Sequence, residues 1–375
     1  MAIEPTRVLH VIGAMDRGGA ETLIMNLYRA IDTTKYQFDF LVNDTDCDYD
    51  EEIEALGGRI YQIPRYNIFN YWTYRKACQD FFKTHKYKLV HGHIALPATV
   101  YLHYAQKSDA ITIAHSHAQN YPLSPAEAAF RLCTRNIKKY SNFFLACSEQ
   151  AGLDRFGKDV VSSNRFHVLQ NGIDVSKFTF SAKTRSETRY VLGLKPDEPV
   201  FIHVGRLTPI KNHDFLFRTF ACILKRMPTA KLLLVGKGEL QEDLAHLASK
   251  LNIANSISFL GIRKDVADLL CAADVFIFPS KKEGLANAVV EAQTNGLRCL
   301  ISTGVPKLAA ITDASRFLPL SLGPQIWADE ALDLLCKPIA DRASCSKDAI
   351  RAHFSINESA AWLEQFYNKA MGNED

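Results

Sequence analysis

The sequence predicts an α/β protein built from two doubly wound, largely parallel domains. Short apolar segments alternate with segments of helical period, the pattern of βαβ units. The alternation stops at a polar stretch, 179–198, and then restarts. There Val200-Phe-Ile-His-Val-Gly205 echoes Val8-Leu-His-Val-Ile-Gly13. Finally, 375 residues exceed the size at which one hydrophobic core stops growing.

In chain order, Val8–Gly13 reads as the first strand, followed by a Gly18-Gly19 turn. The helix after it, Ala20 to Ile31, places Leu23, Ile24, Leu27 and Ile31 on one face. Phe38–Val42, Lys88–Gly92, Ile111–Ala114, Phe143–Ala146 and Phe166–Leu169 read as the further strands of domain 1–178. Residues 179–198 read as a linker. Domain 199–345 follows with strands at Val200–Val204, Lys231–Val235, Ser258–Leu260, Val275–Phe278 and Cys299–Ser302. Residues 346–375 read as a terminal helix pair, expected to pack back towards the first domain. Parallel sheets offer the carboxyl ends of their strands to ligands, and two such domains in series suit a two-substrate enzyme with a cleft between them.

Composition is that of an ordinary globular protein, 47% apolar and 23% charged. A net charge of +3 argues against a nucleic-acid binder. Nine scattered cysteines with no Cys-x-x-Cys favour a reducing compartment. Glu4 and the short apolar run after it argue against a signal peptide, and no uncharged apolar run approaches a membrane span. The expectation is a cytoplasmic protein able to lie on the inner face of the membrane. Charge is uneven: residues 1–58 carry 4 Lys/Arg and 12 Asp/Glu (−8), and residues 59–140 carry 12 and 3 (+9). The basic part mixes cations with aromatics at 65–88 and again at 131–139. Such segments suit a lipid headgroup surface, or simply form the solvated face of a helix.

The residues that can carry chemistry cluster behind two strands of the second domain. Gly205-Arg-Leu-Thr-Pro-Ile-Lys-Asn212 places Arg206 and Lys211 straight after an apolar strand. Arginine grips phosphate through two parallel bonds, and lysine acts as a point charge. Alone, the pair reads equally as solvated loop cations. Glu283-Gly-Leu-Ala-Asn-Ala-Val-Val-Glu291 places two carboxylates across a loop-to-helix junction. Leu285, Ala286 and Asn287 would open that helix and turn backbone N–H groups towards a phosphate. Two glutamates at a helix start also complement its dipole, but Gly284 and the matching cations favour a sugar-nucleotide site. Gly18 and Gly19 would let the backbone approach an anion, or form a plain tight turn. The dinucleotide fingerprint Gly-x-Gly-x-x-Gly is absent from that loop, which removes the support for hydride chemistry. His91/His93 and His115/His117 end two strands. Such pairs resemble metal sites, but no acidic or cysteine ligand stands at suitable spacing, so a substrate contact is a better reading than a metal, while for any one histidine a packed or surface side chain is the leading reading. Asp44-Thr-Asp46-Cys-Asp48-Tyr-Asp50 resembles a metal–nucleotide or calcium motif, yet Tyr49 stands where a calcium loop needs glycine. It reads as an exposed acidic loop.

On these residues the chain resembles the retaining glycosyltransferases of family four, which have the GT-B fold of two Rossmann-like domains facing a central cleft. Its likeness is to members that build exopolysaccharide, capsule and O-antigen. The motifs are Gly205-Arg-Leu-x-x-x-Lys-Asn-His213, Leu234-Val-Gly-x-Gly-Glu239, Phe259-Leu-Gly-Ile-Arg-x-Asp-Val266 and Glu283-Gly-Leu-x-Asn-x-x-x-Glu-Ala-Gln293, with Gly18-Gly-Ala-Glu21 and Ala114-His-Ser-His117 in the first half.

The resemblance implies an N-terminal acceptor domain and a C-terminal nucleotide-sugar domain. Arg206 and Lys211 would hold the donor diphosphate, and Leu285, Ala286 and Asn287 would bind it through backbone N–H groups. Glu291 would bind the ribose and Glu283 the donor sugar. Ile262 and Arg263 would seat the base, and Gly205 and Gly236 would lie in the donor loops. His115 would meet the reacting sugar, with His117 on the acceptor side, while Gly18 and Gly19 lie against phosphate or acceptor. The implied reaction is metal-independent, with retention at the anomeric carbon. It would move a sugar from a nucleotide donor, UDP-linked by preference, to a lipid-linked saccharide in surface polysaccharide synthesis. Alternatives are a nucleotide-sugar hydrolase or epimerase of the same fold, a non-catalytic partner subunit, and a metal hydrolase using the His-x-His pairs. Ala286 stands where many relatives have Pro, Gly or Ser, a change that should only adjust the loop.

Overall fold

The computed structural model describes residues 4–93, 96–117, 125–337 and 341–372. The chain forms two units, Met1–Gly172 with Ile356–Asp375, and Ile173–Ser355. The apolar runs read from the sequence are the central strands of both.

In the first unit the strands are β1 (Thr6–Val11), β2 (Tyr36–Val42), β3 (Ile60–Gln62), β4 (Leu89–His93), β5 (Ile111–Ser116), β6 (Phe143–Ala146) and β7 (Phe166–Val168). They form one sheet in the order β3-β2-β1-β4-β5-β6-β7, with every pairing parallel. Such a sheet is covered on both faces, so its strands are apolar on both sides. Leu9, Val11, Val90, Ala114 and Phe144 pack on one face. Val8, Phe38, Phe40, Leu89, Ile113 and Leu145 pack on the other, under the helices Gly19–Ala30 and Ile356–Ala370.

In the second unit the strands are β8 (Val200–Val204), β9 (Lys231–Val235), β10 (Ile257–Gly261), β11 (Val275–Phe278), β12 (Arg298–Ser302) and β13 (Ser315–Leu318). Their order is β10-β9-β8-β11-β12-β13, again all parallel. Each sheet therefore reverses its direction of winding beside its first strand, between β1 and β4 and between β8 and β11. That reversal is where an open α/β sheet leaves a crevice at its carboxyl edge.

Three features differ from the sequence expectation. β3 and β13 are edge strands of three and four residues, too short and too mixed in polarity to show a period. Residues 179–198, expected as a linker, carry the helix Ala182–Val191 and lie inside the second unit. The polarity of that segment serves capping: Arg185 Nη1 donates to the carbonyls of Cys271, Ala272 and Ala273 at 2.8–3.0 Å, and Nη2 meets Asp274 at 2.6 Å. A cation on the last carbonyls of a helix satisfies orphan acceptors and complements the dipole. Finally, the tail helices part: Ser346–Arg351 belongs to the second unit and Ile356–Ala370 to the first.

Candidate functional site

In the second unit, the loops after β8 and β11 stand at the reversal point and are tied together. Asn212 adopts the left-handed conformation (φ 60°), which asparagine tolerates, and its Nδ2 donates to Pro279 O at 3.2 Å. Lys281 N donates to Ile210 O at 2.8 Å. Between these ties Lys211 Nζ lies 2.7 Å from Glu283 Oε1 and 4.8 Å from the centre of the Phe278 ring. Ser280 Oγ bonds the same Glu283 oxygen. Lys211 and Glu283 are only 18% and 13% exposed, so their mutual attraction is weakly screened. Arg206 is exposed and has no ion pair among the described residues.

The flanking glycines are required by packing. A Cβ on Gly236 (φ 135°) would lie 2.1 Å from Gly205 O, and one on Gly304 2.3 Å from Lys281 O. Close approach of these loops therefore allows no side chain there.

The helix Asn287–Thr294 begins beyond Ala286. The N–H groups of Leu285 and Ala286 have no acceptor among the described residues, as expected at a helix start able to receive an anion. Glu291 lies one turn in, partly buried, and its carboxylate makes no hydrogen bond among the described residues. Burial pushes its carboxyl up to about 7, against a smaller opposing pull from Lys177. A carboxylate so placed is short of hydrogen-bond donors, which vicinal hydroxyls supply. Ile262 is 54% exposed after β10, where an aromatic base could rest on it. Arg263 next to it pairs with Asp265 at 2.5–2.7 Å.

In the first unit the two His-x-His pairs are parts of one larger cluster. Residues two apart on a strand share a face, and β1, β4 and β5 pair in register His10↔His91 and His93↔His115. His10, His91, His93 and His115 are thereby gathered on one sheet face, all buried, with His117 partly buried beside them. Two hydrogen-bonded chains run through them. His10 Nδ1 meets His93 Nε2 at 2.9 Å, and His93 Nδ1 meets His117 Nε2 at 2.7 Å. Tyr367 Oη meets His91 Nδ1 at 2.7 Å, and His91 Nε2 meets His115 Nδ1 at 3.1 Å. Burial drives all five rings well below the ordinary histidine range, His10 to about 3 and His117 to about 4. They are neutral near pH 7.

His91, His93 and His115 offer nitrogens within 4.8 Å of one another. A tetrahedral zinc site would need about 3.4 Å between them. Five of the six ring nitrogens are already in the hydrogen bonds above, so a metal would have to break them. The sequence reading missed His10 and Tyr367. A signal for His10 existed, since it stands at the same strand offset as His91, while Tyr367 had none.

Gly18 caps the helix Gly19–Ala30 in an extended conformation, and a Cβ on Gly19 would meet nothing within 4 Å. Internal packing therefore does not require glycine at 19, and open space stands over the backbone there. The Asp44–Asp50 loop is occupied internally: Asp48 accepts from Arg17 N and Asp50 from Cys47 N. A cavity of about 650 Å³ lined by Lys138, Asn142, Arg165 and Lys369 sits at the amino ends of β5–β7, the opposite sheet edge. Its Arg165 is committed to backbone carbonyls. Of the two basic segments, 131–139 spends Arg131 on Glu127 and Lys138 on Asp159. Segment 65–88 leaves Phe69 97% and Trp72 71% exposed. No described helix is long and apolar enough to cross a membrane.

Residues 17–177 match Glycosyltransferase Family 4, and residues 198–337 match Glycosyl transferases group 1. The chain is 34% identical over 340 residues to EpsF of Bacillus subtilis (strain 168), a protein named as a glycosyltransferase, covering 86% of each. It is 35% identical over 145 residues, 38% of each chain, to the UDP-Gal:alpha-D-GlcNAc-diphosphoundecaprenol alpha-1,3-galactosyltransferase of Escherichia coli. In three dimensions it resembles HepE of Anabaena, solved with UDP and glucose, with a TM-score of 0.78 and 18% identity over 97% of this chain and 99% of that one. The two parallel-sheet units are those of the GT-B fold, and the chain belongs to the family 4 glycosyltransferases.

Proposed function

We propose that this glycosyltransferase moves a sugar, with retention, from a UDP-sugar to a lipid-linked saccharide acceptor in surface polysaccharide synthesis. The observation that carries the donor assignment is the Lys211–Glu283 pair at the β8/β11 reversal, with Arg206, exposed in the same loop as Lys211 and without an ion pair among the described residues, and a helix start at 285–287. In this reading Arg206 and Lys211 bind the diphosphate with the N–H groups of 285–287. Glu291 accepts from the ribose hydroxyls and Glu283 from the sugar. Ile262 supports the base, and Gly205 and Gly236 keep the loops close. Lipid linkage and UDP are supported by the E. coli relative, whose name specifies a UDP-sugar and a diphosphoundecaprenol-linked sugar.

The bond from the anomeric carbon to the diphosphate breaks, and a bond to the acceptor hydroxyl oxygen forms on the same face. The departing phosphate takes the hydroxyl proton. Fixed cations aimed at the developing diphosphate charge supply the main rate gain, without a metal. The first unit supplies the acceptor side: His115 meets the reacting sugar, His117 the acceptor, and the Gly18-Gly19 turn a phosphate or the acceptor. Segment 65–88 meets the membrane that carries the acceptor, with 131–139 as a weaker contact.

The test is thermal stabilisation of the full chain by UDP-, GDP-, ADP- and dTDP-sugars, with and without chelator. Selective, chelator-insensitive stabilisation by a UDP-sugar is expected. Stabilisation that vanishes with chelator would overturn the metal-independent reading, and selectivity for another nucleotide would overturn UDP.

A further inference from the structure

We propose that Tyr367, on the C-terminal helix, is a positioning residue that fixes His115 in the tautomer carrying its proton on Nε2. His115 would then present a hydrogen-bond donor to the sugar and could not serve as a base. The inference rests on the reading that places His115 at the reacting sugar.

Protons along one hydrogen-bonded chain decide the tautomer. A neutral imidazole has one N–H and one bare nitrogen, and burial keeps His91 and His115 neutral. The chain runs Tyr367 Oη, His91 Nδ1, His91 Nε2, His115 Nδ1. At its far end His115 Nε2 is buried with no partner among the described residues.

Two directions are available. In one, Tyr367 donates to His91 Nδ1, His91 Nε2–H donates to His115 Nδ1, and His115 carries its proton on Nε2. In the other, every proton is reversed: His115 Nδ1–H donates to His91 Nε2 and His91 Nδ1–H donates to the phenol oxygen. The Tyr367 O–H must then find another acceptor. Tyr367 is fully buried, and its hydroxyl has no other partner among the described residues. Either direction leaves one orphan donor, His115 Nε2–H in the forward chain and the Tyr367 O–H in the reversed one. The reversed chain also leaves His115 Nε2 bare with no donor among the described residues. The forward chain therefore has one unsatisfied buried group fewer and is the less costly state. The phenol stays protonated, because burial raises it well above its ordinary range.

The neighbouring chain shows what is missing without such an anchor. His10–His93–His117 ends in two nitrogens without a partner among the described residues, His10 Nε2 and His117 Nδ1. Reversing it exchanges one orphan donor for another, so nothing in it selects a direction. Tyr367 breaks that symmetry for His91 and His115.

The test is histidine tautomer assignment by long-range 1H–15N NMR on the full chain with 15N-labelled histidine. His115→Gln identifies the His115 signals by their loss. The wild type should show the Nε2–H form of His115 in about tenfold excess, the worth of one neutral hydrogen bond. Tyr367→Phe removes only the hydroxyl and leaves equal orphans in both directions, so the two forms should approach parity. His91→Gln puts an amide acceptor towards Tyr367 and an amide donor towards His115, and it should keep the Nε2–H form. A wild-type His115 protonated on Nδ1 overturns the proposal without need of any variant, as does an unchanged tautomer in Tyr367→Phe. The two readings fail separately. If His115→Ala transfers sugar normally while the tautomer is as expected, His115 is not at the sugar and the relay stands.

Discussion

Lys211 Nζ and Glu283 Oε1 lie 2.7 Å apart although the residues are 72 positions apart, and each comes from the loop behind a different central strand. The pair joins the residue proposed to hold the leaving diphosphate to the residue proposed to hold the sugar. Lys211→Ala should lower turnover by about 10²- to 10³-fold, the worth of one preorganised charge partner at a leaving group. It should also cost about 1–2 kcal/mol of stability, because Glu283 is left unpaired and mostly buried. The double variant Lys211→Ala/Glu283→Ala should be less destabilised than the sum of the singles. Denaturant unfolding of the four proteins measures this, and strict additivity would show that the contact contributes nothing to stability.

Glu291 gives the donor site a pH dependence. Its carboxyl is pushed up to about 7 by burial, so it gains a proton as pH falls through 7. The protonated form is a poorer acceptor for ribose hydroxyls, and UDP affinity by calorimetry should fall from pH 8 to pH 6. Glu291→Gln should bind UDP weakly at both pH values. Stability runs the opposite way. A carboxyl whose folded pKa is raised binds more protons folded than unfolded between about 4.5 and 7. Its favourable contribution is present below that window and is lost as pH rises through it. Glu291→Gln should therefore melt higher than the wild type at pH 8, and the gain should disappear at acid pH.

The alternating apolar strands were legible because both sheets are buried on both faces, so their strands read as nearly unbroken Val, Leu, Ile and Phe. The loop-to-helix junction at Glu283–Glu291 was legible for a similarly local reason, since a strand end, a glycine and a helix start follow one another in the chain. What lay beyond reach depends on distant partners. Tyr367 meets His91 across 276 positions, and no local pattern marks that contact. The helix Ala182–Val191 looked like a linker because its Arg185 bonds carbonyls 86 to 88 residues away and the Asp274 carboxylate 89 away. Polarity spent on a remote helix end cannot be told from polarity spent on water.

The buried histidines predict acid sensitivity. Folded His10 and His117 titrate at about 3 and 4, against an ordinary 6.5. The unfolded chain therefore takes up protons between 6.5 and those values while the folded chain does not. Stability is full above 6.5 and falls as pH falls below it, by about 1 kcal/mol per such histidine per pH unit. Denaturant midpoints at pH 7.5 and 5.5 measure the loss. His10→Phe, which keeps an aromatic ring beside Phe38 and Phe40, should reduce the difference between the two midpoints. An equal difference in that variant would mean that His10 does not stay neutral in the fold.

The proposed membrane contact has a defined shape at Asn67–Lys76. Asn67 Oδ1 accepts from Phe69 N and Asn70 N at 2.9 Å, and Asn70 Oδ1 accepts from Asn67 N at 2.8 Å. This reciprocal cap holds Phe69 outward on an ordered turn. The helix Tyr71–Thr84 then buries Tyr74, Cys78, Phe81 and Phe82 and leaves Trp72 outside, with Arg75 5.3 Å from the Trp72 ring. Exposed aromatics beside exposed cations such as Lys76, which has no ion pair among the described residues, suit the headgroup layer, where each cation contributes about 1 kcal/mol on an anionic surface. The full chain should float with vesicles containing anionic lipid and release as salt is raised. Arg65→Glu/Lys76→Glu should abolish the anionic preference, whereas Phe69→Ser/Trp72→Ser should weaken binding to neutral and anionic vesicles alike. If the wild type floats with neither vesicle, the segment is a solvated face and the acceptor must reach the enzyme by another route.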